Sequence, residues 1–117
     1  MSEDRLETLR LALRAFAAER EWEPFHTPKN LAMALAGEAG EVIEHFQWLT
    51  AEQSAALDPA RREAVALELA DVLLYLVRLA DVLEVDLGAA AMRKIAINAE
   101  RYPAARARGR AEKYDRL

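Results

Sequence analysis

The sequence predicts an all-α fold, a four-helix bundle-type protomer, and three observations lead to this prediction. The 117 residues are 53% hydrophobic, and Ala and Leu outnumber the β-branched residues that favour strands. Apolar residues recur at three- and four-residue spacing, which is typical of amphipathic helices. Glycine and proline number only four each. A chain of this length fits one domain, which we expect to span residues 1–117.

An apolar stripe predicts the first helix, from Ser2 to about Arg20, with Ser2 as its N-cap. The stripe consists of Leu6, Leu9, Leu13 and Phe16. The period then breaks, and Thr27 followed by Pro28 is a capping residue before a proline, the pattern that begins a helix. The second helix is predicted from Pro28 to about Leu49.

The remaining helices are predicted from the same kind of signal. Residues 50–57 form a polar connection or a short helical turn, and Asp58 caps a third helix that runs from Pro59 to about Glu84. This helix is apolar over most of its circumference, so we expect it to be largely buried. Asp86 caps a fourth helix over residues 87–101, which Pro103 ends. Residues 104–117 form a basic tail, expected to be loose unless Tyr114 or a neighbour holds it.

Charge and composition exclude several classes of function. The net charge of −4 disfavours a general nucleic-acid binder, because phosphate affinity comes mainly from Lys and Arg. The absence of cysteine excludes disulfides and thiolate chemistry. No signal-peptide pattern and no apolar run of about 18 residues occur. We therefore expect a soluble cytoplasmic protein with neither nucleic acid nor membrane as a partner.

Two pairs of carboxylates are the main candidates for chemistry. Glu38 and Glu41 on the second helix, and Glu68 and Asp71 on the third, share the same i, i+3 spacing, which places each pair on one helix face. For a single pair, an ion pair with Arg78 or another cation is the more common use. Two matching pairs on neighbouring helices repel one another unless a proton or cation neutralises them, and Mg²⁺ prefers such oxygen ligands, with Mn²⁺ as an alternative.

Side chains around these pairs have competing interpretations. Gly37 and Gly40 allow a ligand or another backbone to approach the second helix, or serve ordinary helix packing. His45 follows Glu41 by four residues, and a solvated or hydrogen-bonded role is expected for it rather than metal ligation. Because the sequence lacks Glu-x-x-His on a helix, redox di-iron chemistry is disfavoured.

A second group of residues suits phosphates and a flat base. Lys94, Asn98 and Arg101 lie at i, i+4 and i+7 on the fourth helix, so they form one donor-rich stripe. Alone, such a stripe is usually a solvated basic face. Trp22 and Trp48 flank the second helix and belong either to the core or to a stacking surface. Metal, phosphate donors and aromatic rings together describe a nucleotide site.

The strings around these residues resemble a known family. The pattern Glu38-x-x-Glu41 followed by Glu68-x-x-Asp71 is similar to the ExxE…ExxD signature of the MazG-like all-α nucleoside triphosphate pyrophosphatases. The similarity extends to four further strings, and it is greatest to the dCTP-hydrolysing members: Glu21-Trp22-Glu23, Phe25-His26-x-Pro28-Lys29-Asn30, Phe46-Gln47-Trp48 and Lys94-x-x-x-Asn98-x-x-Arg101-Tyr102-Pro103.

The resemblance implies Mg²⁺-dependent hydrolysis of a deoxynucleoside triphosphate, dCTP or a modified dCTP, to the monophosphate and pyrophosphate. It implies that the four carboxylates are catalytic residues and metal ligands, that Lys94, Asn98 and Tyr102 contact phosphate or sugar, and that Tyr75 lies near the metal. It assigns a base pocket to Trp22, His26, Asn30 and Trp48. It also implies a homotetramer, a dimer of dimers. The alternative is a helical nucleotide-sensing or interaction module that binds without hydrolysis.

Overall fold

The computed structural model describes residues 4–117, which contain helices and turns and no strand, so the all-α prediction is confirmed. The helices are α1 (Arg5–Glu19), α2 (Pro28–Glu44), α3 (Ala51–Ser54), α4 (Pro59–Val82), α5 (Leu87–Arg101) and α6 (Ala104–Ala107), with 3₁₀ turns at Glu23–Phe25 and Tyr114–Arg116. The predicted third and fourth helices are therefore α4 and α5. The chain divides into two compact units, one ending at Glu84 and one from Val85 to Leu117.

Helix α1 begins at Arg5, and its N-cap is Asp4, whose side chain accepts the N–H of Glu7. The predicted N-cap, Ser2, lies outside the described residues. The helix ends in a Schellman arrangement, in which the N–H of Trp22 donates to the carbonyl of Ala17 at 3.0 Å. Glu21 takes the left-handed conformation that this turn requires, with φ of 54°. The turn fixes the backbone of Trp22 at the end of α1.

Three caps predicted from the sequence are confirmed, because each capping side chain accepts the backbone N–H three residues further on. These pairs are Thr27 with Asn30, Asp58 with Arg61, and Asp86 with Ala89. Such a cap satisfies one of the N–H groups that a helix leaves without an internal partner. The starts of α2, α4 and α5 therefore follow from local chemistry.

The predicted end of the second helix was wrong, because α2 ends at Glu44 and not near Leu49. Beyond Glu44 the backbone tightens into i→i−3 turns, in which His45 donates to Val42 and Phe46 donates to Ile43. Trp48 consequently leaves the helical face that carries Glu38 and Glu41. Residues 50–57, predicted as a connection or a short helical turn, contain α3, which a capping box between Thr50 and Gln53 begins.

Within the first unit, α4 packs against both α2 and α1. The apolar core there consists of Ala17, Leu31, Val65, Val77 and Ala80, and Leu31 is only 2% exposed. The prediction that the third helix is largely buried was wrong for this protomer. Leu69, Leu73 and Leu76, which share one face of α4, are exposed, Leu69 to 54%. The apolar circumference of α4 is therefore only partly covered by its own chain.

The second unit holds α5 and the basic tail. The ring of Tyr114 lies edge-on to Tyr102, with 6.0 Å between the centroids, and the guanidinium of Arg101 lies 4.9 Å from the same ring. Arg106 donates to the carbonyl of Leu117 at 2.5 Å. The end of α5 thus contacts the last turn of the chain. No helix among residues 4–117 combines the length and apolarity that a membrane span requires.

Candidate active site and metal centre

The structure brings the four predicted carboxylates together. Each of Glu38, Glu41, Glu68 and Asp71 offers an oxygen, and these oxygens all lie within 4.8 Å of one another. The cluster forms because the i, i+3 faces of α2 and α4 meet where the two helices pack. We call these four residues the acidic cluster.

Within residues 4–84, no Lys or Arg forms an ion pair with the acidic cluster. The nearest basic side chain is His45, whose Nε2 lies 4.0 Å from Oε1 of Glu68. The structural alternative paired the carboxylates with Arg78 and another Arg or Lys, but Arg78 binds His26 and Asp81 instead. The acidic cluster therefore keeps its negative charge without a side-chain cation of the first unit against it.

Two oxygens of the cluster are buried without a hydrogen-bond partner among the described residues, Oε2 of Glu38 and Oε2 of Glu68. Burial raises the pKa of Glu38, and a hydrogen bond with Glu41 and the nearby acidic charges raise it further. For Glu68, the hydrogen bond with Glu41 raises the pKa most, followed by burial. A proton or a cation at this place relieves both the repulsion and the unsatisfied oxygens.

The donor set fits a hard divalent cation. All four ligands are carboxylates, they come from two packed helices, and two of their oxygens lack any other partner. Mg²⁺ and Mn²⁺ prefer such oxygen ligands, whereas softer metals favour Cys or several His. The arrangement can therefore hold one or more divalent ions beside a negatively charged ligand.

A cavity of about 160 Å³ opens beside the cluster. It is lined by Leu13, Phe16, Trp22, His26, Asp71, Leu74, Tyr75 and Arg78. The cavity thus brings three residues of the predicted base and metal sites, Trp22, His26 and Tyr75, next to the carboxylate of Asp71. Trp22 lies edge-on to His26, with 6.1 Å between the ring centroids. The cavity therefore offers a flat aromatic ligand both apolar walls and polar side chains at its edge.

Two residues assigned to the base pocket lie elsewhere in the protomer. Asn30 donates through Nδ2 to the carbonyl of Phe25 at 3.0 Å, so its side chain holds the loop before α2. Trp48 is 87% exposed in the turn after α2. Neither residue lines the cavity. The shorter α2 explains the position of Trp48, since a helix that continued to Leu49 would place it seven residues beyond Glu41, on the same helical face.

The glycines of α2 have free space around them. A Cβ at Gly37 or Gly40 would meet nothing within 4 Å. Close helix packing inside the protomer, one of the two interpretations, is therefore not what these glycines serve. Access for a ligand or another chain remains a prediction.

The predicted donor stripe lies in the second unit. Lys94, Asn98 and Arg101 are exposed on α5, and Tyr102 follows as its C-cap. The helical spacing places the three donors on one face, as predicted. Their contact with a ligand remains a prediction.

Several residues around the cavity were not predicted from the sequence. Leu13, Phe16 and Leu74 belong to ordinary apolar stripes, and no signal separates a cavity wall from a core position. Arg78 was considered only as a partner for the acidic pairs. Its position seven residues beyond Asp71, on the same face of α4, was the available signal that it contacts the site.

Comparison with known proteins agrees with the resemblance. The MazG-like family model matches residues 34–117. The dCTP pyrophosphatase 1 of Homo sapiens is 48% identical over 117 residues, which cover 98% of this chain and 69% of the human protein. The dCTP pyrophosphatase 1 of Rattus norvegicus is 47% identical, with the same coverage of both chains.

A solved structure extends this similarity to three dimensions. The crystal structure of a pyrophosphatase from Archaeoglobus fulgidus matches with a TM-score of 0.81 and 38% identity, and the match covers 88% of this chain and 96% of that one. The family model covers more than half of the sequence, and the curated relatives are nearly half identical along almost all of it. The chain therefore belongs to the MazG-like family.

Proposed function

We propose that this protein is a nucleoside triphosphate pyrophosphohydrolase that converts a deoxynucleoside triphosphate, dCTP or a modified dCTP, to the monophosphate and pyrophosphate. The observation that carries the proposal is the acidic cluster, four carboxylates from two helices with no compensating Lys or Arg among residues 4–84. The names of the relatives, dCTP pyrophosphatase 1 and a pyrophosphatase, support the reaction class. The cellular task is control or sanitation of the nucleotide pool.

Glu38, Glu41, Glu68 and Asp71 hold the cation in this proposal, and Mg²⁺ is the expected ion. When bound, a divalent ion supplies positive charge for the triphosphate and lowers the pKa of a water molecule. Glu38 or Glu41 is the carboxylate that accepts the proton of the attacking water. The remaining carboxylates orient the site and keep the cation between α2 and α4.

Other residues bind the rest of the substrate. Trp22, His26 and Tyr75 take the base in the cavity beside Asp71, which is supported by their common position around it. Asn30 and Trp48 reach the base of a substrate in an assembled oligomer. Lys94, Asn98, Arg101 and Tyr102 supply donors to the phosphates and sugar, since a triphosphate has more oxygens than the cation can reach.

We also propose that the whole chain acts as one domain and assembles into a homotetramer, a dimer of dimers, in the cytoplasm. The exposed leucines of α4 support assembly, because Leu69, Leu73 and Leu76 form an apolar row that a second copy could cover. A composition without cysteine suits a reducing compartment.

A product assay tests the proposal. The purified protein is incubated with each dNTP, with 5-modified dCTP, and with either Mg²⁺, Mn²⁺ or EDTA, and the products are separated. We expect monophosphate and pyrophosphate in equal amounts with metal, no products with EDTA, and the highest rate with a cytosine nucleotide. Binding without products would favour the non-catalytic module, and release of inorganic phosphate alone would contradict the reaction class.

A variant separates catalysis from assembly. Glu41→Gln removes one charge of the acidic cluster without changing the size of the side chain, so turnover should be lost while the oligomer remains. Sedimentation of both proteins checks assembly. Ordinary pyrophosphate release by this variant would refute the role of the cluster.

A further inference from the structure

Arg78 is a buried charge that the proposed reaction does not use. The residue is 8% exposed on α4, and its Nε–H donates to Nδ1 of His26 at 3.0 Å. Both residues line the cavity beside Asp71. Burying an arginine removes its charge from water, which costs free energy unless the group is paired. Arg78 is paired in part with the ring of His26, so it can affect the protonation of that ring.

The hydrogen bond fixes the protonation of His26. A guanidinium has only donors, so Nδ1 of His26 must accept and cannot carry a proton. Burial lowers the pKa of His26, and the positive charge of Arg78 lowers it further, which keeps the ring neutral at pH 7. A neutral ring without a proton on Nδ1 carries its proton on Nε2. Among residues 4–84, the ring of His26 forms no other hydrogen bond, so that Nε2–H has no acceptor there.

Arg78 is itself held in place from the other side. The carboxylate of Asp81, with its side chain 6% exposed, accepts from Arg78 at 3.4 Å and from Arg14 at 2.6 Å. Arg10 donates to the same carboxylate at 3.1 Å. Because α1 and α4 both contribute to this network, the guanidinium of Arg78 keeps one orientation toward His26. Arg78 is thus a positioning residue, and His26 is the group that a ligand meets.

We propose that Arg78 fixes His26 as the tautomer with its proton on Nε2, so that the cavity selects a ring that presents a hydrogen-bond acceptor. The cavity, at about 160 Å³, is smaller than the roughly 300–1,000 Å³ of sites for drug-sized ligands. It therefore takes one flat ring and not a whole nucleotide. A pyrimidine offers carbonyl oxygens, and cytosine also offers an unprotonated ring nitrogen. The identity of this ring as the substrate base rests on the proposed function.

Nuclear magnetic resonance tests the tautomer without any substrate. The chain has two histidines, so two-bond proton–nitrogen spectra of labelled protein contain two ring patterns, and His26→Gln identifies the pattern of His26. At pH 7 we expect a protonated Nε2 and an unprotonated Nδ1. Arg78→Met should abolish this preference, whereas Arg14→Met, which removes a different cation from Asp81, should retain it. A cationic ring, a proton on Nδ1, or no change in Arg78→Met would overturn the proposal.

Kinetics test the selection of an acceptor. His26→Gln places an amide N–H near the position of Nε2, so KM should stay within a few-fold of the wild type. His26→Phe keeps a flat ring without a donor, and KM should rise about tenfold, equivalent to about 1.4 kcal/mol, with a smaller change in kcat. Arg78→Met should raise KM when His26 is intact. The same change should leave KM unaltered when it is combined with His26→Gln. Equal KM values for His26→Phe and wild type would overturn the selection.

The two measurements also separate this proposal from the proposed function. If the wild type hydrolyses no nucleotide, the proposed function fails while the tautomer result stands. If Arg78→Met does not fold, the comparison of His26→Gln with His26→Phe still decides the role of the donor, because His26 is only partly buried.

Discussion

Glu38 on α2 and Glu68 on α4 each bury one carboxylate oxygen that has no hydrogen-bond partner among residues 4–117. Burial is the main cause that raises the pKa of Glu38, the hydrogen bond with Glu41 is the main cause that raises the pKa of Glu68, and the charge of Glu41 adds to both. The packing of α2 against α4 therefore holds like charges together at a cost in stability. A bound positive charge would offset this electrostatic repulsion.

Replacement of Glu68 by Gln should lower the turnover of the protein and raise its thermal stability. Glu68→Gln removes one repulsive charge, so the metal-free variant should melt a few degrees above the wild type, since a small gain in free energy shifts Tm by that much. Turnover should fall at least about 10- to 100-fold, the usual cost of disturbing the surroundings of a bound metal, and Mg²⁺ should raise the Tm of the wild type but not that of the variant. Calorimetry in EDTA and in Mg²⁺ measures these shifts.

A control for this prediction is Glu63→Gln, which removes an exposed carboxylate from the same helix outside the cluster. It should leave turnover and the Mg²⁺ effect on Tm unchanged. If both variants responded equally, net charge rather than the acidic cluster would account for the result.

The network around Asp81 should make stability depend on pH. Burial alone raises the pKa of Asp81, but hydrogen bonds from Arg14 and Arg10 outweigh it and hold that pKa below its ordinary value. The stabilisation is therefore complete above the unfolded pKa of about 4 and is lost as pH falls through the lower folded pKa. At pH 7, Asp81→Asn should lower the free energy of unfolding by about 3 kcal/mol.

Urea unfolding of Asp81→Asn and wild type at pH 7, 5 and 3.5 measures this difference at equal protein concentration. The difference should be constant between pH 7 and 5 and smaller at pH 3.5. A difference that did not change with pH would show that the carboxylate charge is not what holds α1 to α4.

Glu21 offers a test of the turn that ends α1. A non-glycine residue in the left-handed region carries a strain of about 1–2 kcal/mol, which Gly avoids at some cost in unfolded-state entropy. Glu21→Gly should therefore stabilise the protein by about 0.5–1 kcal/mol. Ala12→Gly, inside α1, should destabilise it by about 1 kcal/mol. Chemical denaturation compares them, and a loss of stability in Glu21→Gly would contradict the interpretation.

Lys94 tests whether the donor stripe of α5 meets phosphate. Lys94→Met removes one cationic donor, so KM for the triphosphate should rise about tenfold, the effect of losing one charge-assisted hydrogen bond. Steady-state kinetics at constant ionic strength give the value. Lys113→Met removes a lysine from the tail and should change KM less than twofold. Similar effects of both variants would indicate general attraction of the nucleotide to positive charge.

Local signals account for what the sequence predicted well. The caps Thr27, Asp58 and Asp86 act on residues three positions away, so their effect is readable from short strings. The i, i+3 spacing of the carboxylates also survives any packing, because it follows from helix geometry. Their meeting required only that α2 and α4 pack on those faces.

The remaining features depend on contacts between distant segments. Arg78 could have paired with Asp71 or Asp81, which lie seven and three residues away on α4. The choice of Asp81 follows from Arg10 and Arg14 of α1 and from His26, none of which its own helix reveals. The end of α2 was mispredicted for a different reason: no capping glycine or proline marks Glu44, so periodicity alone suggested a longer helix.

Hydrogen bonds hold the segment between α1 and α2 at several points along its length. Trp22 donates to Ala17, His26 donates to Glu23, and the side chain of Asn30 donates to Phe25. The backbones of Trp22 and His26 are thus ordered when the protein folds, and Arg78 also holds the ring of His26, so less conformational entropy is lost when a ligand enters. The free energy of contacts made in the cavity then contributes to affinity, and a small pocket can hold one ring without a closing lid.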